Sequence, residues 1–217
     1  MKEIFTGVWR KDRNLFIKNL IPGYRSHKEQ LIKIKNVEFR GWDPFHSKPA
    51  AAIVKGLKNF PIKEKYKILY LGISSGATAS FLSDIIGKDG IIYGVEISER
   101  SIRDLNPVAE KRGNIVPILA DSRKPQDYSW VEPVDVVYQD VATRDQSDII
   151  IRNCQNFLKK DGFAILAIKS RSINVVKEPK EVYKEELRKL EEHFNIIEKV
   201  ELDPYEKDHL FVVMKLR

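Results

Sequence analysis

The most informative segment of this chain is Lys67-Ile68-Leu69-Tyr70-Leu71-Gly72-Ile73-Ser74-Ser75-Gly76. Five mostly apolar residues run directly into a turn bounded by glycines, and a helical pattern begins at Ala77. A strand, a glycine turn and a helix in this order form the first βα unit of nucleotide-binding folds, where the turn lies at the mouth of a parallel sheet. An ordinary tight turn would have the same pattern of residues, so the rest of the sequence is needed to distinguish it from a nucleotide-binding turn.

The spacing of Gly72 and Gly76 restricts the ligand that this turn would hold. It is Gly-x-x-x-Gly and lacks the third glycine of the Gly-x-Gly-x-x-Gly turns that bind dinucleotides. No Gly-Lys-Ser/Thr follows, so the turn is not a Walker loop. The spacing therefore counts against an NAD-dependent oxidoreductase and against a P-loop NTPase.

Downstream of this turn, apolar runs alternate with helical patterns, which is typical of a parallel sheet covered on both faces. Only the short segment Asp203–Asp208 joins the last two strands, which favours an antiparallel hairpin at one edge. The prediction is an α/β fold of the Rossmann-like kind found in S-adenosylmethionine (SAM)-dependent methyltransferases, a mostly parallel seven-stranded sheet with an antiparallel edge hairpin. The predicted strands are Lys67–Leu71, Ile91–Val95, Ile115–Leu119, Val134–Tyr138, Phe163–Ile168, Ile196–Leu202 and His209–Leu216. The predicted helices are Ala77–Ile86, Ser101–Lys111, Gln146–Leu158 and Pro179–His193.

The N-terminal part of the chain has a different pattern. Short β-like runs are separated by polar turns, which predicts a small antiparallel β-domain over residues 1–47, with the methyltransferase domain over residues 48–217. A helix is predicted from Lys48 to Leu57, since Pro49 is acceptable in a first turn. The four predicted N-terminal strands are Ile4–Trp9, Leu15–Leu20, Gln30–Ile34 and Val37–Arg40.

The positive charge of the chain is unevenly distributed. The formal net charge is +7, and residues 1–56 hold 12 Lys and Arg against 5 Asp and Glu, whereas residues 57–217 hold 26 of each. Such asymmetry favours contact with a polyanion such as RNA, although a solubilising basic surface remains the alternative. No apolar segment approaches the roughly 20 residues of a membrane helix, and the chain has a single cysteine. We therefore expect a cytoplasmic protein without an intramolecular disulfide or a cysteine zinc site.

Acidic residues follow three successive strands of the predicted parallel sheet. Glu96 ends the second strand, 24 residues beyond Gly72, where a carboxylate is placed to accept the hydroxyls of an adenosine ribose. Asp121 follows the third strand and Asp140 the fourth. Each alone could be a helix cap. Because they follow the glycine turn in order, together they predict a crevice that binds an adenosine-containing cofactor.

Seven motifs give the chain a resemblance to the fibrillarin family, and to its archaeal RNA 2′-O-methyltransferases in particular. The resemblance covers essentially the whole chain. The chain has no Gly/Arg-rich N-terminal extension such as eukaryotic fibrillarins carry. The motifs are Trp42–Lys48, Gly72–Thr78, Val95-Glu96, Asn114–Asp121, Tyr138–Ala142, Ile168–Ile173 and Lys207–His209.

The resemblance implies that SAM is the cofactor and indicates where it binds. Three positions depart from the family pattern: Ala77 replaces a threonine, Ile97 replaces an aromatic residue, and Thr143 replaces a glutamine. We expect these departures to tune the affinity for SAM differently, and they remove no group that the chemistry needs. The implied cofactor-binding residues are Gly72, Ser74, Gly76, Ala77, Thr78, Glu96, Ile97, Asp121, Ser122, Asp140, Val141, Ala142 and Thr143.

The catalytic set implied by the resemblance is Lys48, Asp140, Lys169 and His209. Asp140 and Lys169 end adjacent strands. The ammonium groups of Lys48 and Lys169, if they are neighbours, would lower each other's pKa, and burial strengthens this effect. We therefore expect Lys169 to be the base or the donor that orients the 2′-oxygen, with Asp140 aligning it. Lys48 and His209 would hold the ribose and the substrate backbone. A solvated lysine and a structural histidine remain the alternatives for Lys169 and His209.

The resemblance further implies guide-directed ribose 2′-O-methylation of rRNA, and of tRNA as well, within a box C/D ribonucleoprotein. The implied partners are a box C/D guide RNA with its target RNA, a Nop-family scaffold protein and a kink-turn-binding ribosomal-protein-like subunit. The chain shows no base-reading motif of its own. The alternative functions are a non-catalytic RNA- or RNP-binding module on a methyltransferase fold and a methyltransferase of small molecules or proteins.

Overall fold

Twelve strands in two sheets and six helices make up the structure, a computed structural model that describes all residues 1–217. A single 3-10 turn at Pro125–Tyr128 is the remaining regular element. The strands are β1 (Lys2–Phe5), β2 (Val8–Lys11), β3 (Asn14–Lys18), β4 (Leu31–Ile34), β5 (Val37–Trp42), β6 (Lys67–Leu71), β7 (Ile91–Glu96), β8 (Ile115–Leu119), β9 (Val134–Gln139), β10 (Leu158–Lys169), β11 (Phe194–Glu201) and β12 (His209–Leu216). The helices are α1 (Lys48–Val54), α2 (Ala77–Ile86), α3 (Glu99–Arg112), α4 (Gln146–Phe157), α5 (Ser170–Ile173) and α6 (Pro179–Glu191).

The larger sheet has seven strands in the order β11-β12-β10-β9-β6-β7-β8. Strands β10, β9, β6, β7 and β8 pair in parallel, and β12 runs antiparallel to both of its neighbours. The predicted Rossmann-like sheet with an antiparallel edge hairpin is therefore confirmed. Because the parallel strands point the same way, their carboxyl ends meet at one edge, where ligands bind in open α/β sheets.

The smaller sheet has five antiparallel strands in the order β1-β2-β3-β5-β4, which confirms the predicted antiparallel N-terminal sheet. The prediction of one strand over Ile4–Trp9 is wrong, because the chain reverses at Thr6-Gly7 and β1 pairs with β2. Gly7 has a φ of 74°, which a residue with a side chain rarely adopts and which permits the tight turn. A single glycine in an apolar run was the signal for this hairpin.

A buried network of ion pairs joins the smaller sheet to helices α2 and α3. Arg40 on β5 donates to Asp84 on α2 at 2.5 Å and to Glu29 at 2.6 Å, and Arg112 on α3 donates to the other oxygen of Asp84 at 2.5 Å. The side chains of Arg40, Arg112 and Asp84 are fully shielded from solvent. A buried charge is costly unless it is paired and hydrogen-bonded, so removing any one partner would leave an uncompensated charge.

Apolar packing also crosses between the sheets. Val8, Ile17 and Trp42 of the N-terminal sheet belong to the same buried cluster as Ile53 and Phe81 of the following helices. The division at residue 47 into two domains stays a prediction. No helix of this chain is long and apolar enough to cross a bilayer.

Two helices differ from the predicted elements. α1 ends at Val54, three residues before the predicted end at Leu57, because Gly56 adopts a φ of 102°. α5 was not predicted, because four residues carry too little periodicity to be recognised. α5 follows Lys169 directly.

Candidate active site

A cavity of about 300 Å³ lies at the carboxyl ends of β6, β7, β8 and β9. Its volume is at the lower end of the range of small-molecule sites. Ten of the thirteen predicted cofactor-binding residues line it, together with three that were not predicted to bind the cofactor, Val95, Ala120 and Arg123. The ten are Gly72, Ser74, Glu96, Ile97, Asp121, Ser122, Asp140, Val141, Ala142 and Thr143.

The glycine turn brings the first parallel strand against the segment that follows β9. Gly72 has a φ of 77°, and a Cβ there would lie 3.1 Å from the backbone carbon and oxygen of Asp140. The Asp140 N–H donates to the Leu71 carbonyl at 2.9 Å, which holds the two segments in register. Gly72 is required here for its conformation and for the close approach of Asp140.

The Glu96 carboxylate is fixed at the rim of the cavity. One oxygen accepts the backbone N–H of Ser74 at 2.9 Å, and the other accepts that of Ser98 at 3.0 Å. A carboxylate has about four acceptor positions, so two remain for hydroxyl groups. Ser74 adopts a φ of 54°, which points its N–H towards Glu96. The carboxylate thus links the glycine turn to the end of β7.

Three predicted cofactor-binding residues do not line this cavity, namely Gly76, Ala77 and Thr78. Gly76 precedes α2 with a φ of 85°. Ala77 faces a second cavity, beside the N-terminal sheet. The Thr78 hydroxyl is buried and donates to the Ser47 hydroxyl at 3.0 Å. The start of α2 therefore contacts the segment before α1.

A carboxylate between two ammonium groups lies beside the cavity. Asp140 follows β9, and its Oδ2 accepts a hydrogen bond from Lys48 Nζ at 3.2 Å. Its Oδ1 lies 2.8 Å from Lys169 Nζ, an ion pair without hydrogen-bond geometry that leaves Oδ1 with no other partner. Lys169 Nζ donates instead to the backbone carbonyl of Asp140 at 2.7 Å. The three side chains are each between 13% and 16% exposed, so they are shielded but accessible.

The pKa of Lys48 is shifted in the direction opposite to the one expected from the sequence for paired lysines. Burial acts to lower its pKa, but the carboxylates of Asp140 and Glu206 outweigh this, and the pKa of Lys48 is raised. Glu206 Oε1 lies 3.5 Å from Lys48 Nζ. Sequence reasoning missed Glu206, although it lies next to the Lys207–His209 motif. Lys48 therefore stays an ammonium group throughout the neutral range.

His209 lies at the edge of the same cluster, because it pairs with Lys169 in the register of β12 and β10. Its Nδ1 is 2.6 Å from the Lys207 carbonyl, which it contacts as a donor. Burial lowers the pKa of His209, and the nearby charges of Lys48 and Lys169 act in the same direction. The imidazole is therefore neutral near pH 7.

Gln146 fixes the end of β10 and was not predicted. Its side-chain oxygen accepts the Lys169 N–H at 2.9 Å, and its amide nitrogen donates to the carbonyls of Thr143 at 2.8 Å and Lys169 at 3.3 Å. The side chain is buried at the start of α4. Gln146 thereby ties the segment after β9 to the strand that carries Lys169.

The residues around the cavity fit a nucleoside-type cofactor. The Glu96 carboxylate retains free acceptor positions, and the buried Thr143 hydroxyl has no hydrogen-bond partner. Asp121 Oδ1 accepts the Arg123 N–H at 3.0 Å. Asp121 and Ser122 follow β8, the third parallel strand along the chain, and line the cavity. Polar groups from three strand ends thus converge on one cavity, and the reacting cluster adjoins it through Asp140.

Comparison with known proteins gives a consistent result. The family model described as Fibrillarin matches residues 1–217. A fibrillarin-like rRNA/tRNA 2′-O-methyltransferase of Pyrococcus furiosus is 54% identical over 200 residues, which cover 91% of this chain and 88% of that protein. The Aeropyrum pernix fibrillarin in complex with natively bound S-adenosyl-L-methionine matches with a TM-score of 0.87 and 44% identity, covering 95% of this chain and 97% of that one. A fibrillarin/Nop5p complex contains a chain with a TM-score of 0.92 and 37% identity over the full length of both.

Proposed function

The chain belongs to the fibrillarin family, and on that premise we propose that it transfers a methyl group from SAM to ribose 2′-hydroxyls of rRNA and tRNA. The observation that carries the proposal is the Lys48–Asp140–Lys169 cluster beside the cavity of about 300 Å³. A small molecule in that cavity lies next to the cluster, since Asp140 belongs to both. The complete cluster also argues against a non-catalytic binding module.

We propose that the ten lining residues hold SAM, with Glu96 accepting the ribose hydroxyls and Asp121 and Ser122 facing the adenine edge. SAM supplies a methyl group bound to a positively charged sulfur, which makes it an intrinsically reactive electrophile. The acidic side chains at the strand ends favour such a cation. Gly76, Ala77 and Thr78 support the proposed site from behind the glycine turn.

The reaction requires the acceptor hydroxyl to be positioned and to lose its proton. Lys48 remains charged, so we assign it to holding the ribose oxygens and the phosphates of the substrate backbone. Asp140 fixes both ammonium groups, and Lys169 is the side chain proposed to meet the 2′-oxygen, as base or as hydrogen-bond donor. Neutral His209 at the edge of the cluster is assigned to a hydrogen bond with the substrate.

We propose the partners of this chain from its membership of the family. A relative forms a complex with Nop5p, and we propose that this chain likewise binds a Nop-family scaffold protein. A box C/D guide RNA and a kink-turn-binding ribosomal-protein-like subunit complete the proposed assembly. The basic N-terminal residues would contribute contacts to phosphates, which carry no sequence information.

The test is the transfer of label from methyl-tritiated SAM to RNA in the reconstituted assembly. Nuclease digestion then identifies the modified nucleotide. Label in a 2′-O-methylated nucleoside is the expected result. Label in a base, in protein or in a small molecule would contradict the proposed substrate, and the absence of any transfer by the complete assembly would contradict the enzymatic function.

A further inference from the structure

The residue that precedes His209 has a backbone conformation that few side chains adopt. Asp208 has a φ of 60°, in the left-handed region, where aspartate is more common than most other non-glycine residues. Between Lys207 and His209 this conformation reverses the chain, so that the Lys207 carbonyl lies 2.6 Å from Nδ1 of the His209 ring. The position of the imidazole therefore depends on how firmly the backbone of Asp208 is held.

The backbone N–H, the carbonyl and the carboxylate of Asp208 are each engaged by another segment. The N–H donates to Asp203 Oδ2 at 3.3 Å, and the carbonyl accepts the N–H and the hydroxyl of Ser170 at 3.2 and 3.0 Å. Asp208 Oδ2 accepts a hydrogen bond from Arg171 Nε at 2.9 Å. Ser170 and Arg171 directly follow Lys169, so the segment that carries the reacting lysine also holds the turn before β12.

The Arg171 guanidinium makes more contacts than a surface ion pair would. Its Nη1 donates to the carbonyls of Val175 at 3.0 Å and Lys177 at 3.2 Å, so one planar group joins the segment after α5 to Asp208. An isolated ion pair on the surface contributes little, because both side chains stay mobile. Here three hydrogen bonds fix the orientation of one rigid guanidinium, and the Asp208 side chain is only 19% exposed. Arg171 therefore restrains Asp208 in its left-handed conformation.

The contact with the Lys207 carbonyl also determines which nitrogen of His209 is free. Nδ1 donates to that carbonyl, so Nε2 of the neutral ring carries the lone pair and is an acceptor. His209 lies opposite Lys169 in the antiparallel register of β12 and β10, and side chains of opposite residues project on the same face of the sheet. An Nε2 acceptor on this face can take a hydrogen bond from a ribose hydroxyl, whereas an Nε2–H group could not.

We propose that Arg171 is a positioning residue for methyl transfer, which by holding Asp208 keeps the His209 ring in the Nδ1–H tautomer with Nε2 open to a ribose hydroxyl. The inference rests on the proposed function, which brings an RNA ribose to the reacting cluster. Arg171 acts through the backbone of Asp208 and does not touch the substrate. Without the guanidinium, Asp208 relaxes towards ordinary backbone conformations, the Lys207 carbonyl leaves Nδ1, and the ring takes up other tautomers and orientations.

The first measurement determines the tautomer and needs no RNA. Long-range proton–nitrogen NMR correlations of the isotope-labelled chain distinguish a protonated ring nitrogen from an unprotonated one. They are recorded near pH 8, where His209 is neutral because burial lowers its pKa, and the spectrum of His209→Ala assigns its signals. His209 should be an Nδ1–H tautomer in the wild type and should shift to Nε2–H in Arg171→Ala. The matched control is Asn174→Ala, which removes the acceptor of the Val176 and Lys177 N–H groups, loosens the same segment and should keep the wild-type tautomer.

The second measurement is single-turnover methylation by the complete assembly with its guide RNA. Arg171→Ala should lower the maximal rate by about 10- to 100-fold, because a small misplacement of a catalytic group can cost that much. The affinity for SAM and the half-saturating concentration of target RNA should stay unchanged. In a His209→Ala background the same substitution should have little further effect, because the ring that Arg171 positions is gone. Asn174→Ala should match the wild type.

An unchanged His209 tautomer in Arg171→Ala overturns the inference. So does an equal loss of rate in the wild-type and His209→Ala backgrounds, because Arg171 would then act on Lys169 or on the RNA itself. A raised half-saturating concentration of target RNA at an unchanged maximal rate would make Arg171 a substrate contact and would also overturn it. A wild-type assembly that transfers no methyl group removes the proposed function and the role of Arg171 in it. That outcome is distinct, since the tautomer is measured on the chain without RNA.

Discussion

Asp140 is the residue that connects the two parts of the site. Its backbone closes against the glycine turn, and its carboxylate lies between Lys48 and Lys169. Opposite charges within about 4 Å favour each other's charged forms, so Asp140 offsets the repulsion between the lysines. The sequence analysis expected neighbouring ammonium groups to lower each other's pKa values, and for Lys48 the carboxylates of Asp140 and Glu206 reverse that direction.

Replacing Lys169 with alanine should therefore remove the group at the reacting oxygen and leave the cofactor cavity intact. We expect Lys169→Ala to lower the single-turnover rate by about 10²- to 10⁴-fold, the usual contribution of a positioned acid or base. The SAM dissociation constant should change little, because Lys169 does not line the cavity. Lys160→Ala is the matched control, since this exposed lysine lies near the other end of β10. A rate near that of the wild type would remove Lys169 from the mechanism.

Glu96 offers a test of the cofactor site alone. Glu96→Ala removes the acceptor of the Ser74 and Ser98 N–H groups and of the proposed ribose hydroxyls. SAM binding should weaken by about 1.5–3 kcal/mol, the range for a hydrogen bond to a charged group, as measured by titration calorimetry. Glu99→Ala, three residues along and exposed, should bind normally. Equal affinity of the folded Glu96 and Glu99 variants would place the ribose elsewhere.

The lowered pKa of His209 predicts that the free energy of unfolding depends on pH. Because its pKa is lowered in the folded chain, the unfolded chain binds the proton more readily. The neutral imidazole therefore contributes stability that is fully present well above the ordinary pKa of about 6.5 and is lost as the pH falls through the folded value. The free energy of unfolding of wild type relative to His209→Gln should decrease between pH 7.5 and pH 5 in urea titrations. A constant difference across that range would show that burial does not shift this group.

The site residues that could be located best from the sequence are those at the carboxyl ends of strands. Apolar runs place Glu96, Asp121, Asp140 and Lys169 at the carboxyl ends of successive strands without any knowledge of packing. Glu206 and Gln146 were missed for a physical reason. Glu206 lies in a turn without periodicity, and Gln146 acts through contacts between the loop after β9 and the end of β10, which only the fold brings together.

At the scale of elements, α1 and α2 are connected by the Ser47–Thr78 hydrogen bond. Ser47 occupies the position that normally caps a helix, yet its hydroxyl makes no capping bond and accepts from Thr78. Ser47 adjoins Lys48, and Thr78 belongs to the first turn of the helix that follows the glycine turn. The bond thus ties the start of α2 to the helix that carries the Lys48 ammonium.

Breaking this connection should affect catalysis separately from stability. Ser47→Ala or Thr78→Val alone leaves a buried hydroxyl without a partner, which costs about 1–3 kcal/mol, whereas changing both together is close to neutral. We expect the double variant to unfold near the wild-type midpoint and to lose roughly tenfold in rate, because small misplacements of catalytic groups are costly. Chemical unfolding and single-turnover assays measure the two effects. A double variant that matches wild type in both would assign the bond to stability alone.

Element prediction succeeded where periodicity is long and failed where it is short. Four of the five parallel strands were located within one residue at each end, since buried apolar runs of this length have few alternatives. β10 begins at Leu158, five residues before the predicted start at Phe163. The β1–β2 hairpin was read as one strand because its turn occupies only Thr6-Gly7. Helix α5 has one turn, and its position depends on the pairing of the end of β10 with β12.

At the scale of the whole molecule, the basic excess and the catalytic cluster belong to different parts of the chain. All seven excess positive charges lie in residues 1–56, and the sheet that carries Asp140 and Lys169 is in the neutral remainder. The buried Arg40–Asp84–Arg112 network fixes these parts to each other. An RNA held by the basic part is therefore presented to the cluster at a constant distance.

We expect this arrangement to attract RNA without selecting a nucleotide. Phosphate contacts carry no base information, and such binding should be weak and should fall steeply with salt. We therefore propose that selection of one ribose comes from outside the chain, through base pairing by a guide RNA.

The isolated chain is accordingly expected to bind SAM and to show little or no site-specific methylation. Adding the box C/D guide RNA, the Nop-family scaffold and the kink-turn-binding subunit should direct transfer to one nucleotide, and changing the guide sequence should move that nucleotide. Reconstitution with each component omitted in turn, read by primer extension at low nucleotide concentration, measures this. Lys169→Ala in the complete assembly is the control for transfer by another component. Correctly placed methylation by the chain alone would mean that it reads bases itself, because no phosphate contact could produce that selectivity.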